Sequence, residues 1–267
     1  MNGYHLYRKA WRFDGAPHEE SQLPKKEWRA LLKHGGLMVR NTYDFDCRPE
    51  TSFWHLIKDR FGGMEELSRK NRKAVRKALN TLDYKIVDKQ LIEKQGYVIA
   101  KKVYEGYKTG KTKMDLQAFQ KLLDVWTEEN HEFWGIFDLT DGKLVGFSVV
   151  RLFDGCCLYD TACILPEYKY NKSGVFYGMY YKHNEYYLGE KRLKYVTDGT
   201  RSITEHSNVQ PFLEEKFHFR KAYCRLAVHY KWWVGLIVKA LYPFRRIITV
   251  PSVKAVLNME EMQSGKA

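Results

Sequence analysis

The sequence has few cysteines and no motif that predicts a metal site. The cysteines are Cys47, Cys156, Cys157, Cys163 and Cys224. Their number is odd and no CxxC pair occurs, which argues against a disulfide framework and a zinc site. The nine histidines lack HxxxH and HExxH spacing. We therefore predict a metal-free protein of a reducing compartment, the cytoplasm.

Other signals of special protein classes are also missing. Residues 1–13 mix polar and aromatic side chains, so we predict no secretory signal. No internal repeat of the kind that builds solenoids is present. What is present is enough apolar material for a core, with 44% hydrophobic and 15% aromatic residues among 267. This composition predicts a globular chain of one or two domains.

Positive charge is the strongest bias of the composition. Lysine and arginine number 45 against 32 acidic residues, which gives a net charge of +13. Such a surface attracts a nucleic acid, a phosphorylated donor or an anionic membrane. Charge alone does not choose among these partners, and a basic surface solvated by water is the fourth alternative.

The pattern of apolar residues predicts an α/β protein. The N-terminal half is mainly helical, with predicted helices at 25–33, 53–61, 64–82, 91–107 and 115–129. The C-terminal half is richer in strands, predicted at 132–139, 143–152, 156–165 and 194–197. Asp141-Gly142 between the first two is a hairpin signal. A helix at 175–188 separates the last two strands.

Two segments in the C-terminal half resemble a known family. Leu165–Gly174 connects a strand to a helix, and Asn208 precedes the run Phe212–Phe219. Their order resembles the GNAT (Gcn5-related N-acetyltransferase) fold. That resemblance implies a mixed, mostly antiparallel sheet flanked by helices, with a splayed parallel pair formed by strands 156–165 and 194–197. It also implies that an acyl-pantetheine arm lies in the cleft between those two strands.

The same resemblance implies the residues that hold the donor. They are Lys169, Asn171, Lys172, Ser173, Gly174 and Asn208. The family has Gln or Arg where Lys169 stands and glycine where Lys172 stands. In the closing segment His218 stands at a glycine position. A helix N-terminus with free backbone N–H groups favours a phosphate, which fits acyl-CoA or another acyl-phosphopantetheine donor.

Three residues are predicted to be catalytic, and each has a structural alternative. Asp160 lies in the middle of a strand, where a carboxylate needs a cleft or a paired cation. Asp198 ends the last strand of the parallel pair, or caps a turn in Asp198-Gly199. His206 titrates near neutral pH, or is an ordinary surface histidine. Amide formation needs such a base to take the proton of the amine.

A narrower resemblance concerns the basic helix. Ser68–Ala78, followed by the GNAT-like elements, is similar to single-domain relatives of the Fem-type aminoacyl transferases. This resemblance implies aminoacyl-tRNA as the alternative donor. The basic residues also fit the anionic group of another substrate, or a solvated face. Stacking aromatics are missing between them, which argues against a dedicated RNA reader.

The C-terminal segment 231–246 carries two tryptophans among apolar residues with lysine and arginine beside them. Its apolar part is too short to span a bilayer. It predicts an interfacial helix on an anionic membrane, or a helix that covers the core of its own domain. We predict three parts: an extension at 1–52, an acyltransferase domain at 53–230, and this helix with its tail at 231–267.

Together these features predict a cytoplasmic N-acyltransferase, either free or attached at the surface of the inner membrane. The predicted donor is acyl-CoA or acyl carrier protein. The predicted acceptor is an amine on a sugar, an amino acid or a lipid precursor. The alternatives are a tRNA-dependent transferase of the Fem type and a non-catalytic scaffold that binds an anionic partner. The sequence does not predict an oligomeric state.

Overall fold

The computed structural model describes residues 3–106, 114–169, 174–203 and 208–265. Its helices are α1 (Lys25–Lys33), α2 (Arg69–Thr81), α3 (Lys89–Glu105), α4 (Leu116–Val125), α5 (Pro166–Lys169), α6 (Val175–Asn184), α7 (Val209–Phe217), α8 (Trp232–Leu241) and α9 (Pro251–Gln263). Its strands are β1 (Tyr4–Tyr7), β2 (Ala10–Phe13), β3 (Met38–Tyr43), β4 (Phe53–Lys58), β5 (Leu82–Val87), β6 (His131–Asp138), β7 (Leu144–Phe153), β8 (Cys156–Ile164), β9 (Tyr195–Thr200) and β10 (Arg220–Tyr230). A π-helical turn, Glu185–Glu190, extends α6.

The chain divides into two compact units. The first contains Met1–Ile57, Thr200–Gln210 and Arg220–Ala267, and the second contains Lys58–Gly199 and Pro211–Phe219. The division predicted from the sequence, with an extension at 1–52 that packs on the domain at 53–230 and a helix with its tail at 231–267, stays a prediction.

The first unit is built on strands from both ends of the chain. β1 and β2 form an antiparallel hairpin, β2 pairs with β3 in parallel, and β10 pairs antiparallel with both β3 and β4. α1 packs Leu31 and Leu32 against Trp11 and Val39. α9 covers another part of this sheet with Met259 and other apolar residues.

The helix predicted at 53–61 is wrong. Phe53–Lys58 forms strand β4, in which Phe53 pairs with Cys224 and Ile57 with Arg220 of β10. Phe53, Leu56 and Ile57 are buried, and their spacing also suits a helix. A short apolar run cannot be assigned by periodicity alone, and here pairing with β10 decides the outcome.

The second unit contains a sheet in the order β9-β8-β7-β6-β5. β8 and β9 are parallel and the other neighbours are antiparallel. The hairpin of β6 and β7 turns at Asp141-Gly142 as predicted, with Gly142 at φ +70°. α3 and α4 cover the face of Phe147, and α6 covers the face of Ser148. The predicted α/β class, with a mostly antiparallel sheet and a splayed parallel pair, is confirmed.

Candidate active site

The parallel pair of β8 and β9 comes apart along its length. Hydrogen-bonded register covers three pairs and ends at Leu158 and Thr197. Yet β8 continues to Ile164 and β9 to Thr200. The carboxyl ends of two parallel strands therefore diverge and leave a gap, which is where α/β folds commonly bind ligands. Asp198 is the first residue of β9 beyond the paired part.

Asp198 is a half-buried carboxyl with an unusual proton affinity. Burial raises the pKa of Asp198 to about 7, because the ionised form loses hydration. The Asp198 charge in turn contributes to the raised pKa values of Tyr159 and Tyr180. Gly199 follows at φ +90° and donates its N–H to Thr197 Oγ1 at 3.0 Å. A carboxyl with a pKa near 7 can accept a proton at neutral pH and release it again.

Tyr159 and Asn184 form the polar support of this region. The Tyr159 hydroxyl donates to Asn184 Oδ1 at 2.8 Å. Asn184 is fully buried, and its Nδ2 has no hydrogen-bond partner in the described part of the chain. The Tyr159 ring also packs on Tyr180, His183 and Tyr187. Our sequence reasoning missed Tyr159 and Asn184. The sequence signal that could have indicated Asn184 is the polar pair His183-Asn184 near the end of an apolar, aromatic helix.

His183 is a structural neighbour of this site rather than a base. Its Nε2 lies 3.0 Å from Ser148 Oγ. Burial lowers the pKa of His183 to about 3, so the ring is neutral at physiological pH.

Asp160 has different surroundings from Asp198. Val149 pairs with Thr161 and Val150 pairs with Tyr159, so Asp160 is the extra residue of a β-bulge. Its side chain is exposed and accepts hydrogen bonds at 3.2 Å from Trp126 Nε1 and from Thr161 Oγ1. Trp126 is buried and Thr161 is half-buried, so this carboxylate holds structural groups from the exposed side. The two predicted carboxylates therefore have separate neighbours.

The predicted donor-binding residues fall at both ends of one connection. Lys169 is exposed at the end of α5, and Gly174 precedes α6. Gly174 has φ +75°, and a Cβ built there would lie 3.1 Å from the Ala74 carbonyl oxygen of α2. Glycine is thus required for the backbone to pass so close to α2. The predicted residues Asn171, Lys172, Ser173 and His206 lie outside the described residues.

The closing segment has one unusual backbone conformation. Asn208 is exposed directly before α7 and belongs to the first unit. His218 follows the end of α7 and has φ +57°. This left-handed conformation favours glycine, which is the residue that the GNAT-like pattern has at this position. The His218 ring nitrogen Nε2 lies 3.0 Å from the Glu66 carbonyl oxygen.

The cysteines provide no nucleophile in this region. All five are free, and Cys163 is buried with its pKa raised to about 12, so it stays a thiol. Within residues 3–106, 114–169, 174–203 and 208–265, no group of three or more His, Cys, Asp or Glu side chains could hold a metal ion.

A basic groove lies on α2. Arg69, Arg72, Lys73 and Arg76 line a concave surface of about 520 Å³ together with Glu65. The four cations share one face of the helix because their spacing is i, i+3, i+4 and i+7. Glu65 offsets one charge through Arg72 Nη1 at 3.6 Å. The groove therefore keeps an excess of positive charge that suits phosphate groups.

Comparison with solved structures identifies the architecture. FemX matches 74% of this chain and 73% of its own, at 11% identity and a TM-score of 0.54. The C-terminal domain of a proposed lysylphosphatidylglycerol synthetase from Agrobacterium fabrum matches 89% and 84%, at 12% identity and 0.53. L-PGS from Bacillus licheniformis matches 89% and 83%, at 10% identity and 0.53. The fold is GNAT-like. No family model matches the sequence, and no curated protein does.

Proposed function

We propose that the protein is an N-acyltransferase that moves an acyl group from a phosphopantetheine thioester to an amine. The observation that supports this most is Asp198, a carboxyl with a pKa of about 7 beyond the paired part of β8 and β9. The GNAT-like fold supports the same reaction class by analogy.

Asp198 acts as the general base in this proposal. A protonated amine cannot attack a carbonyl carbon, so its proton must first be removed. Asp198 takes a proton from the amine, the C–N bond forms, and the C–S bond of the thioester breaks. The nitrogen loses its second proton to water as the amide forms, and the departing thiolate takes the proton held by Asp198, which leaves the carboxylate ready for another cycle. Tyr159 and Asn184 keep the surroundings of Asp198 fixed.

The donor is a substrate of this reaction and supplies only the activated acyl group. Lys169 and Gly174, with the predicted residues Asn171, Lys172 and Ser173 between them, would hold its phosphates. Gly174 fits this role because it starts α6 in a left-handed conformation, and no acidic residue lies in the first turn of that helix. Asn208 stays a proposed donor contact, and His206 a proposed second base.

The acceptor is proposed to be an amino sugar, an amino acid or a lipid-linked amine. One protein of the same fold is described as a lysylphosphatidylglycerol synthetase. The product in that name is a lipid that carries an aminoacyl group. That name supports a lipid-linked acceptor within this class.

The test is thiol release from acyl-CoA in the presence of amines. We expect the full chain to release free thiol only when an acceptor amine is added, and mass spectrometry to find the matching amide. The panel combines short and long acyl-CoA with amino sugars, amino acids and aminoacylated lipids. Amine-independent release alone, or no release with any pair while melting is also unchanged by CoA, would contradict the proposal.

Aminoacyl-tRNA is the second candidate donor, and the groove on α2 is the observation that favours it. A row of four cations on one helical face matches the charge of a phosphate backbone. We expect tRNA binding to weaken steeply as salt rises if this candidate is right.

A matched pair of variants tests the groove. Arg69→Gln with Arg76→Gln removes two charges from it, and Lys94→Gln with Lys101→Gln removes two exposed charges from α3 of the same unit. The tRNA candidate predicts that the first pair loses at least tenfold in affinity and the second pair less than twofold. Equal losses mean that only net charge matters. Anion binding without turnover by any donor would favour the non-catalytic scaffold.

A further inference from the structure

Helix α8 has two apolar faces, and its own unit covers only one of them. Val234 and Val238 are buried against Leu257 of α9. On another side of the helix Trp232 is 78% exposed and Leu236 is 60% exposed. Residues four apart lie on the same side of a helix, so these two form one continuous strip. A helix that is apolar all round is normally buried all round.

Exposed apolar residues also follow α8 in the chain, so the segment 232–250 carries one set of exposed apolar side chains. We call it the outer face, and its residues are Trp232, Trp233, Leu236, Ile237, Phe244, Ile247 and Val250. Leu241 is not part of this face, because it packs partly buried against the core of the first unit. Other exposed apolar residues of the described chain are scattered. An apolar area of this kind, with basic residues around it, marks an interaction site.

The segment that carries the outer face has charges of one sign. From residue 231 to residue 250 the chain has no aspartate or glutamate, and its cations are Lys231, Lys239, Arg245 and Arg246. Arg245 is held by Glu261 at 3.0 Å and lies over the Tyr242 ring. Lys239 and Arg246 are exposed. A partner that covers the outer face must therefore tolerate or neutralise positive charge at its rim.

We propose that the outer face docks on an anionic phospholipid surface. Trp232 and Trp233 would lie at the level of the headgroups, and Leu236 and Ile237 would enter the acyl boundary. Lys239 and Arg246 would meet lipid phosphates. Within the described ranges no helix is long and apolar enough to cross a bilayer, so α8 would lie along the surface. The predicted location at the inner membrane rests on this face.

A lipid surface fits better than a second copy of the chain. Two outer faces brought together would place like charges near one another with no acidic residue of the segment to neutralise them. An anionic bilayer supplies the opposite charge and accepts apolar side chains at the same time.

The test is flotation of the full chain with vesicles. We expect binding to phosphatidylcholine vesicles that contain phosphatidylglycerol, weaker binding to pure phosphatidylcholine, and release by high salt. Trp232→Ser with Leu236→Ser should reduce binding at least tenfold. Leu116→Ser with Val125→Ser is the matched control, because both residues are exposed and apolar on α4. It should bind as the unchanged protein does. Lys239→Glu with Arg246→Glu should lose the preference for phosphatidylglycerol.

Three outcomes would overturn the proposal. The first is no flotation with either vesicle, and the second is an equal loss in the α4 control. The third is a dimer in sedimentation that Trp232→Ser with Leu236→Ser converts to a monomer, which would assign the outer face to a second copy. Circular dichroism melting of each variant checks that the fold is kept. None of these readouts needs turnover, so they stand apart from the acyltransferase proposal.

Discussion

Asp198 and Asp160 lie on neighbouring strands, yet their surroundings assign them different roles. Asp198 is half-buried beyond the paired part of β8 and β9, and burial raises its pKa to about 7. Asp160 is exposed in a bulge and accepts hydrogen bonds from Trp126 and Thr161. Two aspartates on neighbouring strands thus differ in burial and in hydrogen-bond partners, and for Asp198 the burial favours the protonated form. Environment rather than residue type separates a candidate base from a structural acceptor.

The largest effect is expected for turnover. Asp198→Asn keeps the size of the side chain but cannot take a proton, so we expect thiol release to fall about 10²–10⁴-fold. Asp160→Asn should stay within about threefold, since an amide oxygen can still accept from Trp126. The comparison of the two variants in the acyl-CoA assay is the measurement. Equal losses would remove the distinction between the two sites.

The next effect is on stability as a function of pH. The pKa of Asp198 is raised in the folded protein, so the unfolded chain ionises first. Unfolding therefore becomes easier as pH rises from about 4 to about 7. One carboxyl changes the free energy of unfolding by about 1.4 kcal/mol per pH unit. Between pH 5 and pH 7 Asp198 therefore lowers that free energy by at most about 3 kcal/mol. The free energy of unfolding, measured by urea titration at several pH values, should fall with rising pH in the unchanged protein. In Asp198→Asn this fall should be smaller by that amount.

A parallel measurement gives the pKa directly. Carboxyl carbon NMR should show Asp198 titrating near pH 7 in the folded protein. A midpoint near 4 would mean that Asp198 is solvated and would weaken its assignment as a base.

A smaller effect, on the free energy of unfolding, is expected when the hydrogen bond between Tyr159 and Asn184 is removed. Tyr159→Phe removes the hydroxyl that donates to Asn184 Oδ1 and leaves a fully buried amide with one partner fewer. We expect a loss of about 1–3 kcal/mol in the free energy of unfolding. Tyr168→Phe is the control, because Tyr168 donates to Asp138 at an exposed edge at 2.6 Å. A loss from Tyr159→Phe no greater than this control would show that the Asn184 contact is weak.

The smallest effect concerns Asp160 itself. Asp160→Ala removes an acceptor from Thr161 and from the buried Trp126, and water can take the place of the carboxylate because position 160 is exposed. We expect less than about 1 kcal/mol in the free energy of unfolding, measured by urea titration. A larger loss would show that the carboxylate holds the bulge in place.

The order of elements was predictable from sequence where local signals are strong. The bounds of α1 agree with the prediction, and Asp141-Gly142 marks the hairpin of β6 and β7. The N-terminal strands β1 and β2 and helix α9 were missed. β1 and β2 are short, and their pairing with each other and with β3 is a matter of tertiary contact. α9 lacks a strong apolar period, and its buried residues Leu257, Met259 and Met262 face partners distant in sequence.

The site was predictable only in part, for a physical reason. Asp198 could be predicted as a site residue because it is a polar residue at the end of a strand with a buried pattern. The pKa of Asp198 could not be predicted, because its burial depends on elements that lie far from it in the sequence. The bulge at Asp160 depends on a shift of register against β7, which alternation within β8 does not reveal.

The close approach of Gly174 to α2 disfavours any side chain at position 174. A second substitution elsewhere in the chain does not remove this steric conflict. The atom that a new side chain would meet belongs to the backbone of α2, not to the side chain of Ala74. Replacing Ala74 leaves its carbonyl oxygen where it was. Directed evolution of this protein could therefore vary Ala74 with its core neighbours, whereas a side chain at position 174 would require α2 and the start of α6 to separate by a few tenths of an ångström and would hold a left-handed φ.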